Sequence, residues 1–173
     1  MPLQGLAPFA GNDVVNVVVE TPRGAIAKLK WDAEQQVFAL KRSLPLGFAY
    51  PYDWGFVPGT EAEDGDPLDA LVVWDFGSPP GTVLRCRVLG ALEVSQKGVG
   101  KKRRVRNDRL LCVPEGDARS AWMHSMDDFS ERMRDELVHF FLSSVAFEKK
   151  ELRIVGWVGP DAALELVRST RAG

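Results

Sequence analysis

Five carboxylates stand between residues 61 and 69, in Glu61-Ala62-Glu63-Asp64-Gly65-Asp66-Pro67-Leu68-Asp69, and the chain runs from them straight into the apolar Ala70-Leu71-Val72-Val73-Trp74. Carboxylates at this density repel one another unless solvent or cations intervene, so the fold must offer this stretch one or the other. On an extended strand Asp64 and Asp66 share a face and Asp69 points away. Gly65 permits a tight backbone and Pro67 fixes its own φ, so a turn here lets the three side chains converge on one small volume. Three converging carboxylates suit a hard divalent cation such as Mg2+. The plainer reading is an exposed acidic loop ahead of a buried strand. A calcium loop of the helix-loop-helix kind is excluded, because its sixth and twelfth positions, counted from Asp64, need Gly and Glu and are Asp69 and Asp75.

A chain of 173 residues, 45% apolar and 27% charged, is long enough to bury a sizeable core and is read as one domain spanning 1–173. The net charge of −2 predicts neither nucleic-acid nor membrane binding. Cys86 and Cys112 form no Cys-x-x-Cys pattern, which points away from a zinc site and toward two reduced, buried thiols. No apolar run approaches the roughly 20 residues that cross a bilayer, and residues 1–11 lack the basic start and apolar core of a signal peptide. A cytoplasmic location is the expectation.

Short strands are predicted over 14–20, 25–31, 37–42, 68–74, 82–89, 91–95 and 109–113, from β-branched content, alternation and punctuation such as Gly77-Ser78-Pro79-Pro80-Gly81. Within 25–31, Ile26, Lys28 and Lys30 share one face. Many short strands with such turns suggest a small closed barrel. Phe129, Met133, Leu137 and Phe140/Phe141 then recur at helical spacing, with Ser125-Met126-Asp127-Asp128 as a capping-box-like start. A strand over 152–158 and a second helix over 162–168, with Pro160 near its first turn, complete a barrel flanked by two helices.

Asp64-Gly65-Asp66-Pro67-Leu68-Asp69-Ala70 resembles the signature of the family I soluble inorganic pyrophosphatases, and the resemblance extends over roughly 14–158. Val17-Val18-Val19-Glu20-Thr21-Pro22 matches the family's first strand and its closing Glu. Lys28, Arg42 and Tyr50 look like its phosphate-binding trio, and Leu110-Leu111-Cys112-Val113-Pro114, His139-Phe140-Phe141 and Val155-Gly156-Trp157 fall where the family has similar residues. The resemblance implies an α+β, mainly β fold: a five-stranded OB-like barrel flanked by two helices. It implies Mg2+-dependent hydrolysis of inorganic diphosphate to two phosphates, with Asp64 and Asp69 as metal ligands, Asp69 bridging two ions, and Asp66 as the base. Glu20, Lys28, Arg42 and Tyr50 are implied on the substrate side. A homo-oligomer, a hexamer, is implied too, with His139 near a subunit contact.

The chain departs from the family pattern at clustered positions. Lys30 stands for a Glu, Gln96 and Asn107 for two metal-binding Asp, Trp54 for a Tyr, Arg109 for a Lys, and Ser144-Val145 for a Tyr-Lys pair. Asp108 replaces the second lost Asp only with a register shift. Neutral Gln and Asn are poorer Mg2+ ligands than carboxylates. The alternative reading is therefore a non-catalytic or weakly active relative that binds a phosphorylated ligand or partner. Between Gln96 and Arg109 lies a basic insertion carrying Lys101, Lys102, Arg103 and Arg104, either a solvated hairpin tip or a loop that contacts a polyanion. It is no P-loop: Ser95 and Lys102 stand where that pattern needs Gly and Ser or Thr. His124 and His139 lack the His-Glu-x-x-His spacing, and no Gly-x-Ser-x-Gly elbow is present.

Overall fold

The computed structural model describes residue 3, residues 5–98 and residues 102–171. In chain order the elements are β1 (Phe9–Gly11), β2 (Val14–Thr21), β3 (Ala27–Asp32), β4 (Val37–Ser43), β5 (Asp53–Phe56), β6 (Asp69–Val72), β7 (Val83–Lys97), β8 (Val105–Arg106), β9 (Arg109–Pro114), a 3-10 turn (Met126–Asp128), α1 (Glu131–Ser144), β10 (Glu151–Val158) and α2 (Pro160–Ser169). Five of the strands pair in a ring: β2 with β5, β5 with β6, β6 with β9, β9 with β7, and β7 back to β2. All of these pairs are antiparallel except β6 with β9. The ring is the five-stranded OB-like barrel expected from the sequence. β10 extends it along the outer half of β7, while β3 and β4 form a separate hairpin.

Successive side chains on a strand point to opposite sides, and here both sides are apolar. Leu71, Leu111 and Val113 join Tyr50, Trp54, Leu137, Phe140 and Phe141 in a core shared with α1. Their neighbours Ala70, Val72, Leu110 and Cys112 join Ala163, Leu164 and Val167 in a core shared with α2. Burial on both sides explains why β6 and β9 read as nearly continuous apolar runs rather than as alternation.

The strands predicted over 82–89 and 91–95 are one strand, β7, bent at a bulge beside Gly90. A side chain at Gly90 would fall on the Val158 carbonyl and on Met126, and its φ of 155° is costly for any other residue. The Ser125 capping box forms as expected, but it heads the 3-10 turn; the N-cap of α1 is Ser130, whose hydroxyl accepts from the Met133 N–H. Phe129, fully buried and extended between the two, breaks the run.

β5 is unannounced by the sequence. Asp53 at its start is fully buried and gathers the backbone N–H groups of Arg23 at 2.8 Å and Ser78 at 3.0 Å and the Trp74 indole N–H at 3.0 Å, tying two loops to one carboxylate. Gly55 lies flat against β2, where an added Cβ would coincide with the Val18 carbonyl. Because backbone cannot swing aside, Gly55→Ala is expected to destabilise the protein by about 3 kcal/mol. Gly156→Ala, whose Cβ meets nothing within 4 Å, should leave the melting temperature within a degree or two of the parent, roughly. Equal thermal melts for the two variants would contradict this packing.

Candidate active site

The alternation that builds the two cores also aims the polar residues. Arg109 opens β9 two positions before Leu111, and Asp69 opens β6 two positions before Leu71, so both face the α1 side, directly opposite each other in the β6–β9 register. Gln96 follows Leu92 and Val94 on the same side of β7. These residues form one wall of a cleft of about 250 Å3, which Lys28, Lys41, Arg42, Tyr50, Trp54, Asn107, Phe140, Phe141, Ser144, Val145, Glu148, Lys150 and Leu152 complete. The cleft thus gathers Lys28, Arg42, Tyr50 and Asp69 from the residues implied by sequence, together with most of the positions where the chain departs from the family pattern.

The remaining expected residues lie around it. Glu20 is buried beside Lys28, its Oε1 accepting the Trp31 N–H at 2.7 Å. Asp64 and Asp66 sit on the loop ahead of β6, where Gly65 adopts a φ of 85° and the Asp66 N–H reaches Asp64 Oδ1 at 3.2 Å. The three signature carboxylates do not converge as expected of the turn: among the described residues no three Asp, Glu, His or Cys side chains form a group that could hold a metal ion. Two of them hold protein donors instead. Lys30 Nζ lies 2.6 Å from Asp66 Oδ2, and Gln96 Nε2 donates to Asp64 Oδ2 at 3.1 Å.

Asp108 is elsewhere. One residue out of phase with Arg109, it faces the α2 side, accepts from the Val94 N–H at 2.8 Å and pairs with Arg106 at 3.0 Å, in a separate cleft with Glu93 and Val158. No register shift brings it to Asp69. Nor do the arginines of the basic insertion reach the cleft: Arg104 donates to Ser95 and Glu151, and Arg106 to Glu93 and Asp108. Lys101 lies outside the described residues.

The cations that do line the cleft include Arg109, which stands for a Lys of the family pattern, and two that the sequence does not single out, Lys41 and Lys150. Lys41 gets there through a bulge. Lys28 pairs with Arg42 but Leu29 with Leu40, so Lys41 is the extra residue of β4 and is re-aimed with its neighbour. The guanidinium of Arg109 is stacked on Phe141 at 4.5 Å and faces Trp54 at 5.7 Å, while Lys28 Nζ lies 5.0 Å from the Trp54 ring. Arg109 is only 6% exposed, yet its Nε and Nη1, like Trp54 Nε1, find no hydrogen-bond acceptor among the described residues.

Burial sets the electrostatics. It pushes the Asp69 carboxyl up against the opposing pull of Lys28 and Arg109, and draws the Lys28 ammonium and the Arg109 guanidinium down despite Asp69. Arg109 stays charged regardless. Burial likewise holds the Tyr50 phenol well above its ordinary range, so it remains an O–H donor. For Lys30 burial pulls down, but the Asp66 hydrogen bond and the nearby carboxylates outweigh it and keep the ammonium charged. Glu20 is pushed up to about 7, chiefly by burial, against the Trp31 N–H and Lys28.

The model for the family described as inorganic pyrophosphatase matches residues 17–172. A Synechocystis protein named inorganic pyrophosphatase is 41% identical over 160 residues, covering 92% of this chain and 90% of its own length. A second, from Methanosarcina acetivorans, is 34% identical over 159 residues and covers 92% and 91%. The crystal structure of the inorganic pyrophosphatase of Thermus thermophilus superposes with a TM-score of 0.89 at 34% identity, covering 98% of this chain and 97% of that one.

Glu20 makes the site pH-sensitive in a calculable direction. Below pH 4.5 the group is protonated folded or unfolded; above it the unfolded chain ionises first, and stability is lost until the folded group ionises near 7. In metal-free protein the Glu20 contribution is therefore expected to fall by about 3 kcal/mol between pH 4.5 and 7.5. Denaturant melts of Glu20→Gln, which keeps an acceptor for Trp31, should show that much less decline than the parent. Parallel pH profiles would contradict the assignment.

Proposed function

The chain belongs to the inorganic pyrophosphatase family, and on that footing we propose that it hydrolyses inorganic diphosphate to two phosphates in a Mg2+-dependent reaction. The observation that carries the reading is the set of buried donors with no acceptor among the described residues: Arg109 Nε and Nη1 and Trp54 Nε1, facing a small cleft. A buried guanidinium without acceptors costs several kcal/mol, roughly, and a compact polyanion supplies the missing oxygens.

The side chains divide the work. Lys28, Lys41, Arg42, Lys150 and Arg109 raise the local concentration of a polyanion, and Arg109 can grip two oxygens at once. Trp54 and Tyr50 add neutral donors that orient it. The walls formed by Phe140, Phe141 and Trp54 keep water from the far side of the bound group and strengthen each of these interactions. Asp66 accepts the proton of the attacking water: Lys30 occupies Oδ2, and Oδ1 takes no hydrogen bond from a described residue.

The donor set fits a hard cation. Asp69 lines the cleft and its carboxylate accepts no hydrogen bond from a described residue, and Asp64, on the loop ahead of β6, offers a second carboxylate. Asp64 and Asp69 would hold Mg2+, which when bound supplies charge neutralisation for the phosphates and an acidified water. By the same family reading the chain assembles as a homo-hexamer, with exposed His139 of α1 near a subunit contact, and works in the cytoplasm, consistent with the free, buried Cys86 and Cys112. Among the described residues no helix is long and apolar enough to cross a membrane.

Two variants test the assignment through steady-state phosphate release from diphosphate with MgCl2. Asp66→Asn should lower kcat by about 10²-fold or more with an unchanged thermal melt. Arg109→Met should raise KM by about tenfold or more, since it removes the guanidinium from which the polyanion's oxygens would accept. Release that is absent from the parent, or indifferent to Asp66, would point to the non-catalytic relative.

A further inference from the structure

We propose that Lys30 is a tethered cation that occupies, at Asp66, the place a divalent ion would otherwise take, so that the resting site draws divalent ions through Asp64 and Asp69 alone. The inference rests on the metal-dependent reading of this cleft and names which of the chain's own residues limits its metal content.

Lys30 reaches Asp66 from a different part of the fold. It projects from β3, on the hairpin outside the barrel ring, and shares a strand face with Lys28, which enters the cleft. Thirty-six residues further along, the loop ahead of β6 presents Asp66 Oδ2 to its ammonium at 2.6 Å. Desolvation does not force this pair together, because the Asp66 side chain is 54% exposed and the Lys30 side chain 33%. Such a surface pair contributes only about 0–1 kcal/mol to folding. Its effect falls on the loop's charge instead. The ammonium offsets the Asp66 charge on this loop before any ion arrives.

Gln96 acts in the same direction. Its amide donates to Asp64 Oδ2, so the second loop carboxylate also has a protein donor, but a neutral one that a cation displaces without charge repulsion. Asp64 thus remains open to a divalent ion, whereas at Asp66 the ion must both replace and approach an ammonium. An ammonium is a compact point charge held by its own stem, and at this range it disfavours a second cation on the same carboxylate.

Binding of Mn2+ to the metal-stripped full-length chain, without substrate, tests the proposal, with free ion counted by electron paramagnetic resonance. Lys30→Met should bind at least one further ion per chain, or bind the last ion about tenfold more tightly, the scale of one charge acting on a divalent ion nearby. Lys30→Arg should titrate like the parent. Asp66→Asn should bind no more ions than the parent, and should abolish the gain in the Lys30→Met background. Superimposable isotherms for the parent and Lys30→Met, or a gain in Lys30→Met that persists when Asp66 is also changed to Asn, would overturn the proposal. Because no turnover is measured, the result stands apart from whether diphosphate is hydrolysed.

Discussion

Burying a guanidinium behind two aromatic rings without giving two of its nitrogens an acceptor is the arrangement on which the rest of the cleft depends. Arg109 leaves water at a cost of several kcal/mol, roughly. The Asp69 carboxylate across the β6–β9 pair and the ring faces of Phe141 and Trp54 offset part of it, a cation–π contact contributing about 0.5–2 kcal/mol. The remainder is unspent attraction for an anion. α1 is placed to maintain it: Phe140 and Phe141 close the cleft from one side, and Arg42 Nη1 fastens the helix end by donating to the Ser144 carbonyl at 2.6 Å. A structure that kept water on Arg109 would be more stable and a poorer trap for a polyanion.

Much of this was legible in the sequence because strand alternation is strict. Once β6 and β9 are strands, Asp69 and Arg109 must share a side with Leu71 and Leu111, and Asp108 must not, so the hope of recruiting Asp108 fails on parity rather than on distance. What the sequence hid were departures from regularity. The bulge at Lys41 adds a cation to the cleft that simple alternation would send to the opposite face. The bend at Gly90 fuses two predicted strands. β5 is four residues long, and its tolerance of Gly55 reflects contact with Val18, a long-range fact no local pattern carries. Trp54 was visible as a substitution, but its role as an unsatisfied donor follows only from its burial.

The substituted positions also make sense together. Lys30 and Gln96 are not merely ligands lost; each contacts a signature carboxylate and satisfies it from within the protein. Across the cleft Ser144 and Val145 carry no cation, but Lys41, Lys150 and Arg109 line the same space. Tethered charge is always present and needs no free ion, but it cannot acidify a water as a divalent ion does, a task that the proposed reaction leaves to an ion held by Asp64 and Asp69.

A crystal structure of the protein with methylenediphosphonate and Mg2+ tests the central claim most directly, since the analogue carries the oxygens of diphosphate but resists hydrolysis. The account predicts the analogue in the cleft, with Arg109 Nε or Nη1 and Trp54 Nε1 each within hydrogen-bonding distance, about 3 Å, of a phosphonate oxygen. An analogue bound elsewhere, with Arg109 and Trp54 still lacking acceptors in a cleft free of anion, would contradict it.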